Sequence, residues 1–134
     1  MEKKHPIQIA DIQIKQLSLN VLDPIECRKN DLAAKVVLKH GSSQFDEIQR
    51  TIAVGFLCEI NKEVENQSIR APFEMVVEII GIFTVSDEFP EDKILHWANR
   101  NAPYILLPYL RENVAALLSR AEINFHLPLV QVIS

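Results

Sequence analysis

The sequence predicts an α+β fold: a four-stranded antiparallel sheet followed by a short and a long C-terminal helix packed on one face. Three observations carry this expectation. Period-two alternation of apolar and polar residues recurs in four stretches before residue 86. Beyond it, apolar residues recur at helical spacing. And 134 residues, 48% hydrophobic and 24% charged, are ordinary globular composition, enough for one domain over 1–134 whose core needs neither disulfide nor structural metal.

The first strand spans Ile7 to Leu22. Ile7 and Ile9 share a phase, Ile12 and Ile14 take the opposite one, and Leu17, Leu19 and Val21 return to the first, so the strand carries bulges or bends. Asp23-Pro24 ends it, because proline cannot donate to a ladder. Leu32 to Lys39 reads as the second strand, closed by His40-Gly41-Ser42-Ser43 as a turn. The third runs from Ile48 to Ile60 with one dominant apolar face, and Asn61 to Ser68 turns the chain. The fourth runs from Ile69 to Val85, with Phe73, Met75, Val77, Ile79, Phe83 and Val85 on its main face. Its second face begins with Glu74 and Glu78 and turns apolar at Ile80 and Ile82, which asks for cover on both sides.

Ser86 to Asp92 is acidic and suits a helix start. A short helix is expected from Pro90 to Asn99, and a long one from Ala102-Pro103 to Arg120 with the stripe Leu106, Leu110, Val114, Leu117 and Leu118. Pro108 should bend or loosen its first turns. The tail, Ile123 to Ile133, reads as extended.

Several functions are argued against. A net charge of −4 offers no cationic surface for nucleic acid or anionic lipid. No apolar run approaches the roughly 20 residues of a membrane span and no secretory core follows the charged start, so a cytoplasmic protein is expected. Cys27 and Cys58 form no CxxC pair, His5, His40, His96 and His126 show no metal-ligand spacing, and three glycines form no phosphate loop. No cofactor is expected.

The stretch Leu107-Pro108-Tyr109-Leu110-Arg111-Glu112, then Ser119-Arg120 and Leu127-Pro128, preceded by Phe73 and Gly81-Ile82-Phe83, resembles the SecB-type protein-export chaperones. The resemblance covers nearly the whole chain. It implies an ATP-independent chaperone, a homo-oligomer (dimer or tetramer), that binds unfolded polypeptides in apolar grooves without covalent chemistry. On it, Phe56, Phe73, Phe83, Trp97, Tyr104 and Tyr109 are candidates for a client groove, and Met75, Val77 and Ile79 for the oligomer interface. Ordinary core packing would account for the same residues.

The family's acids for docking the SecA motor match Gln16, Asn20 and Val76 here, and the glycine after Ser-Arg is Ala121. These departures speak against SecA docking in the usual way. The client is then either preproteins at large or a dedicated one such as an antitoxin. Two other classes compete: a non-chaperone oligomeric interaction protein, and an acyl-thioester enzyme of hot-dog type. The latter has little support, since the long helix opens on Asn101-Ala102-Pro103-Tyr104 with no acid in its first turn.

Overall fold

The computed structural model describes residues 5–30, 32–62 and 71–127. Four strands, β1 (Ile7–Val21), β2 (Val36–Ser42), β3 (Thr51–Ile60) and β4 (Phe73–Val85), are followed by α1 (Ile94–Arg100) and α2 (Ala102–Arg120). The strands form one antiparallel sheet in the order β1-β4-β3-β2. The helices lie on one face, α2 over β3 and β4, α1 toward β2 and β3. The α+β expectation holds.

The phase flips in β1 are two bulges. Register shifts between Ile9 and Asp11 and between Ile14 and Gln16 leave Ala10 and Lys15 as extra residues. Each shift restores the side to which the apolar residues point. Ile7, Ile9, Ile12, Ile14, Leu17, Leu19 and Val21 therefore all stand opposite the helix-side row of β4, from Val85 down to Phe73.

β2 and β3 depart from expectation. His40, Gly41 and Ser42 are not a turn: they pair with Phe56, Gly55 and Val54, and ladder hydrogen bonds outweigh local turn chemistry. Residues 32–35 are not strand. The reversal comes later, where the Asp46 carboxylate accepts the Ile48 and Gln49 amides at 2.9 and 3.0 Å. Ile48 is thus 95% exposed in a turn, not the start of β3. Arg50 closes that turn at φ 56°. Its guanidinium donates to the carbonyls of Val85 and Ser86, pairs with Asp87 and Glu91, and lies over the Phe45 ring.

β4 starts at Phe73, later than expected. Ile69 and Arg70 lie outside the described residues, as do 63–68 of the polar turn and 128–133 of the tail. Ala71 and Pro72 precede the strand, and the Pro72 carbonyl accepts the Leu22 and Asp23 amides at 2.8 and 2.9 Å. A 3-10 turn, Glu91–Lys93, occupies the expected start of the short helix, which begins at Ile94. α2 continues through Pro108. After it the chain reverses at Glu122, φ 57°, and Ile123 and Leu127 return to the core. Among the described residues no helix is long and apolar enough to cross a membrane.

Candidate functional site

The sequence candidates fall into three environments. Phe56, Phe73 and Phe83 lie between sheet and helices at 0–1% exposure, and Met75, Val77 and Ile79 share that layer. Alternation places all six on the side where α1 and α2 pack, so in this chain they hold the helices to the sheet and offer no surface. Trp97 is nearly buried, edge-on to Phe83 with ring centroids 5.2 Å apart. Tyr104 and Tyr109 are about half exposed, on the face of α2 turned from the sheet.

The third group lies on the opposite face of the sheet. Asn20 donates to the Glu74 carboxylate at 2.9 Å, Gln16 stands opposite Glu78, and Val76 is nearly buried. Sequence matching missed what surrounds Val76. Glu59 is directly opposite on β3, while Glu74 and Glu78 flank it two residues either way along β4. Their positions relative to Val76 were the available signal, because residues two apart on a strand share a face. Lys39 lies 3.2 Å from Glu59 and Lys15 lies 3.8 Å from Glu78, so this acidic group is partly neutralised by its own sheet.

The exposed apolar surface lies elsewhere. α2 covers β3 and β4 and leaves the helix-side row of β1 largely open. Ile9, Ile14, Leu17 and Val21 are 38–54% exposed, and Ile12 and Leu19 are partly buried. At one end of this row a cavity of about 490 Å³ opens between the start of β1 and the junction of α1 and α2. His5, Ile7, Trp97, Arg100, Tyr104 and Ile105 line it. The Trp97 ring forms an apolar wall there, 6.3 Å from the His5 ring. Strip and cavity meet at Ile7 and make one elongated trough on the helix side, apolar along β1 and partly polar at the cavity, where His5, Arg100 and Asn101 contribute.

Neither cysteine lines this trough. The two thiols are buried elsewhere and both are harder to ionise than usual: burial pushes Cys58 up to about 12, and burial followed by Asp23 and Glu26 raises Cys27. Among the described residues no group of His, Cys, Asp and Glu could hold a metal ion.

Residues 1–131 match the family described as preprotein translocase subunit SecB. The chain belongs to the SecB family. Among solved structures it is similar to a SecB-like chaperone of Mycobacterium tuberculosis in complex with a ChAD peptide from the HigA1 antitoxin, at TM-score 0.73 and 19% identity. That match covers 94% of this chain and 91% of the other. A Streptococcus agalactiae protein of unknown function also aligns, at TM-score 0.47 and 11% identity, over 92% of this chain and 97% of the other. No curated protein matches the chain in sequence. The SecB-family fold agrees with the antiparallel sheet and C-terminal helices found here.

Proposed function

We propose that this SecB-family protein is an ATP-independent chaperone that holds non-native polypeptides along the trough between β1 and the α1–α2 junction. The observation that carries the reading is the open apolar row of β1, kept on one side of the sheet by two bulges. Such a surface recognises extended chains through burial, about 25 cal/mol per Å² of apolar area, with no demand for a sequence motif. Tyr104 and Trp97 add aromatic faces at its end. No bond is made or broken.

The protein works as a homo-oligomer. β1 is a 15-residue edge strand, and a lone protomer would leave its backbone edge unpaired. The client is a dedicated one, in the manner of an antitoxin. Two features support this: the fold-level similarity to a chaperone solved with an antitoxin peptide, and amides and Val76 at the positions matching the family's motor-docking acids. Glu59, Glu74 and Glu78 are tied to Lys39, Asn20 and Lys15, which weakens their attraction for a cationic partner.

Light scattering of a slow-folding client tests the holding activity. Stoichiometric protein should delay its aggregation, ATP should change nothing, and Ile14→Asn with Leu17→Asn should reduce the effect. Unchanged aggregation at excess wild-type protein would refute the reading. A titration of purified SecA tests the dedicated role. Submicromolar, salt-sensitive binding by wild type, equal to that of a Gln16→Asp, Asn20→Glu, Val76→Glu variant, would refute the dedicated role in favour of general export.

A further inference from the structure

We propose that Arg50 is a positioning residue for client binding: without lining the cavity at the end of the trough, its guanidinium fixes how far apart the two walls of that cavity stand. The inference rests on the trough reading above and on where the two walls are anchored.

One wall comes from the start of β1, with His5 and Ile7, and the other from the helices, with Trp97, Arg100 and Tyr104. Residues 86–93 join β4 to the helix wall and carry the acids Asp87, Glu88, Glu91 and Asp92. Such a run suits a helix start, yet among the described residues no side chain caps the 3-10 turn Glu91–Lys93 or α1. Two of the acids meet Arg50 instead. Nη1 donates to the Glu91 carboxylate at 3.0 Å, and Nε lies 3.3 Å from Asp87. Glu91 opens the turn that runs directly into α1, and Trp97 follows within that helix.

The same guanidinium reaches the other wall. Nη2 donates to the Ser86 carbonyl at 2.9 Å, and the Ser86 amide donates to the Pro6 carbonyl at 2.7 Å. Pro6 sits between His5 and Ile7, the two wall residues on the β1 side. Arg50 is itself fixed to the sheet. Its carbonyl accepts the Val85 amide at 2.8 Å, Nε donates to the Val85 carbonyl at 3.3 Å, and the guanidinium lies 4.8 Å from the centre of the Phe45 ring. One planar group therefore ties both walls to a single point at the end of the β3–β4 ladder.

Core packing does a different job. Ile94, Trp97 and Ala98 hold α1 on the sheet by burial, which has no preferred direction. Burial sets how close the helix lies and leaves it free to slide and turn. Charge-assisted hydrogen bonds from a rigid fork are directional, so Arg50 sets the lateral place of α1. Without the fork the cavity samples a wider range of openings. If the client-ready arrangement falls to about a tenth of the population, apparent client affinity falls about tenfold. Asp87 and Glu91 are exposed, so salt screens this part of the latch.

Trp97 is the single tryptophan and lines the cavity, so acrylamide quenching of its emission reads how open the cavity is. Full-length Arg50→Ala, Arg50→Lys and Glu91→Gln are compared with wild type well below their melting temperatures. All three should raise quenching, Glu91→Gln least, and Arg50→Lys should match Arg50→Ala because a point charge lacks the fork. Arg50→Ala should bind a reduced, carboxymethylated, tryptophan-free polypeptide about tenfold more weakly. Raising salt from about 0.01 M to about 1 M shortens the screening length from about 30 Å to about 3 Å. Quenching of wild type should rise over that range and that of Arg50→Ala should stay level. A lower melting temperature with unchanged quenching and affinity would make Arg50 a purely structural residue and overturn the proposal, as would an equal salt response in wild type and Arg50→Ala. Glu91→Gln alters only an exposed contact, so the quenching test stands even if Arg50→Ala does not fold. If quenching follows the variants but wild type binds no unfolded polypeptide, Arg50 does hold the cavity and it is the chaperone reading that fails.

Discussion

Gly81 lies against Leu106 of α2, and replacing it by alanine measures that contact. A Cβ built on Gly81 would sit 2.7 Å from Leu106 Cδ2 and 3.0 Å from Phe83 Cε2. Carbon atoms in contact prefer about 3.5–4.0 Å, so Leu106 must retreat by about 1 Å. It is fully buried and has little room to do so. Overpacking of this kind costs about 1–3 kcal/mol, and the better strand conformation of alanine over glycine returns about 0.5–1 kcal/mol. Gly81→Ala should therefore lose up to about 2.5 kcal/mol. Leu106→Ala alone should lose about 2–5 kcal/mol through its cavity. In the double variant the new methyl enters that cavity, so Gly81→Ala should become neutral or stabilising there. Urea midpoints at fixed protomer concentration read this directly. With a slope of about 2 kcal/mol/M, the single glycine change lowers the midpoint by up to about 1.2 M. If Gly81→Ala costs the same in both backgrounds to within about 0.5 kcal/mol, Leu106 does not occupy that space and the packing argument is wrong.

Burial, with the Glu59 carboxylate beside it, pushes the Cys58 thiol from its ordinary value of 9.0 up to about 12 in the folded chain. Above pH 9 the unfolded state binds fewer protons, so stability should fall with rising pH by up to about 1.4 kcal/mol per unit through this group; thermal melts of wild type and Cys58→Ala between pH 8 and 10.5 should diverge. Arg50→Ala should cost about 1–3 kcal/mol by releasing two carbonyls and two carboxylates, and Arg50→Lys should not restore it, because a point charge cannot reproduce the planar fork; a shift in melting temperature checks both. Ile14→Glu with Leu17→Glu should lower client holding and leave the oligomer mass seen by multi-angle light scattering unchanged; a lower mass would show that the helix-side row of β1 is taken up by assembly and not by clients.

The sequence was most legible where a pattern could be satisfied locally. The flips in β1 fell where the bulges lie, because a strand in which every apolar residue must face one side leaves a bulge as its only solution. The stripe of α2 was equally plain, with Leu106, Leu110, Val114 and Leu118 buried and Leu117 partly so. Legibility failed where distant partners decide. His40-Gly41-Ser42 has turn chemistry, yet three ladder positions on β3 hold it straight. Ile48 continues an apolar alternation, yet one carboxylate from Asp46 takes its amide out of register. For the site, alternation could say which side Phe56, Phe73 and Phe83 face but not that a helix would sit on them. The same pattern on β1 could not say that the helix would stop short of it.

The two bulges also ration what can be added at the free edge of β1. A newcomer strand must follow the ladder of the strand it joins. Here that ladder is cut after Ile9 and again after Ile14, so its longest uninterrupted run is from Gln16 to Val21. Six residues at about 3.4 Å give about 20 Å of regular pairing. Any polypeptide that zips along this edge, from a sibling chain or a passing one, must either end within that length or carry an irregularity of its own in step with Lys15. The strand that presents the stickiest surface of the protein is thereby also the one least able to template an endless sheet.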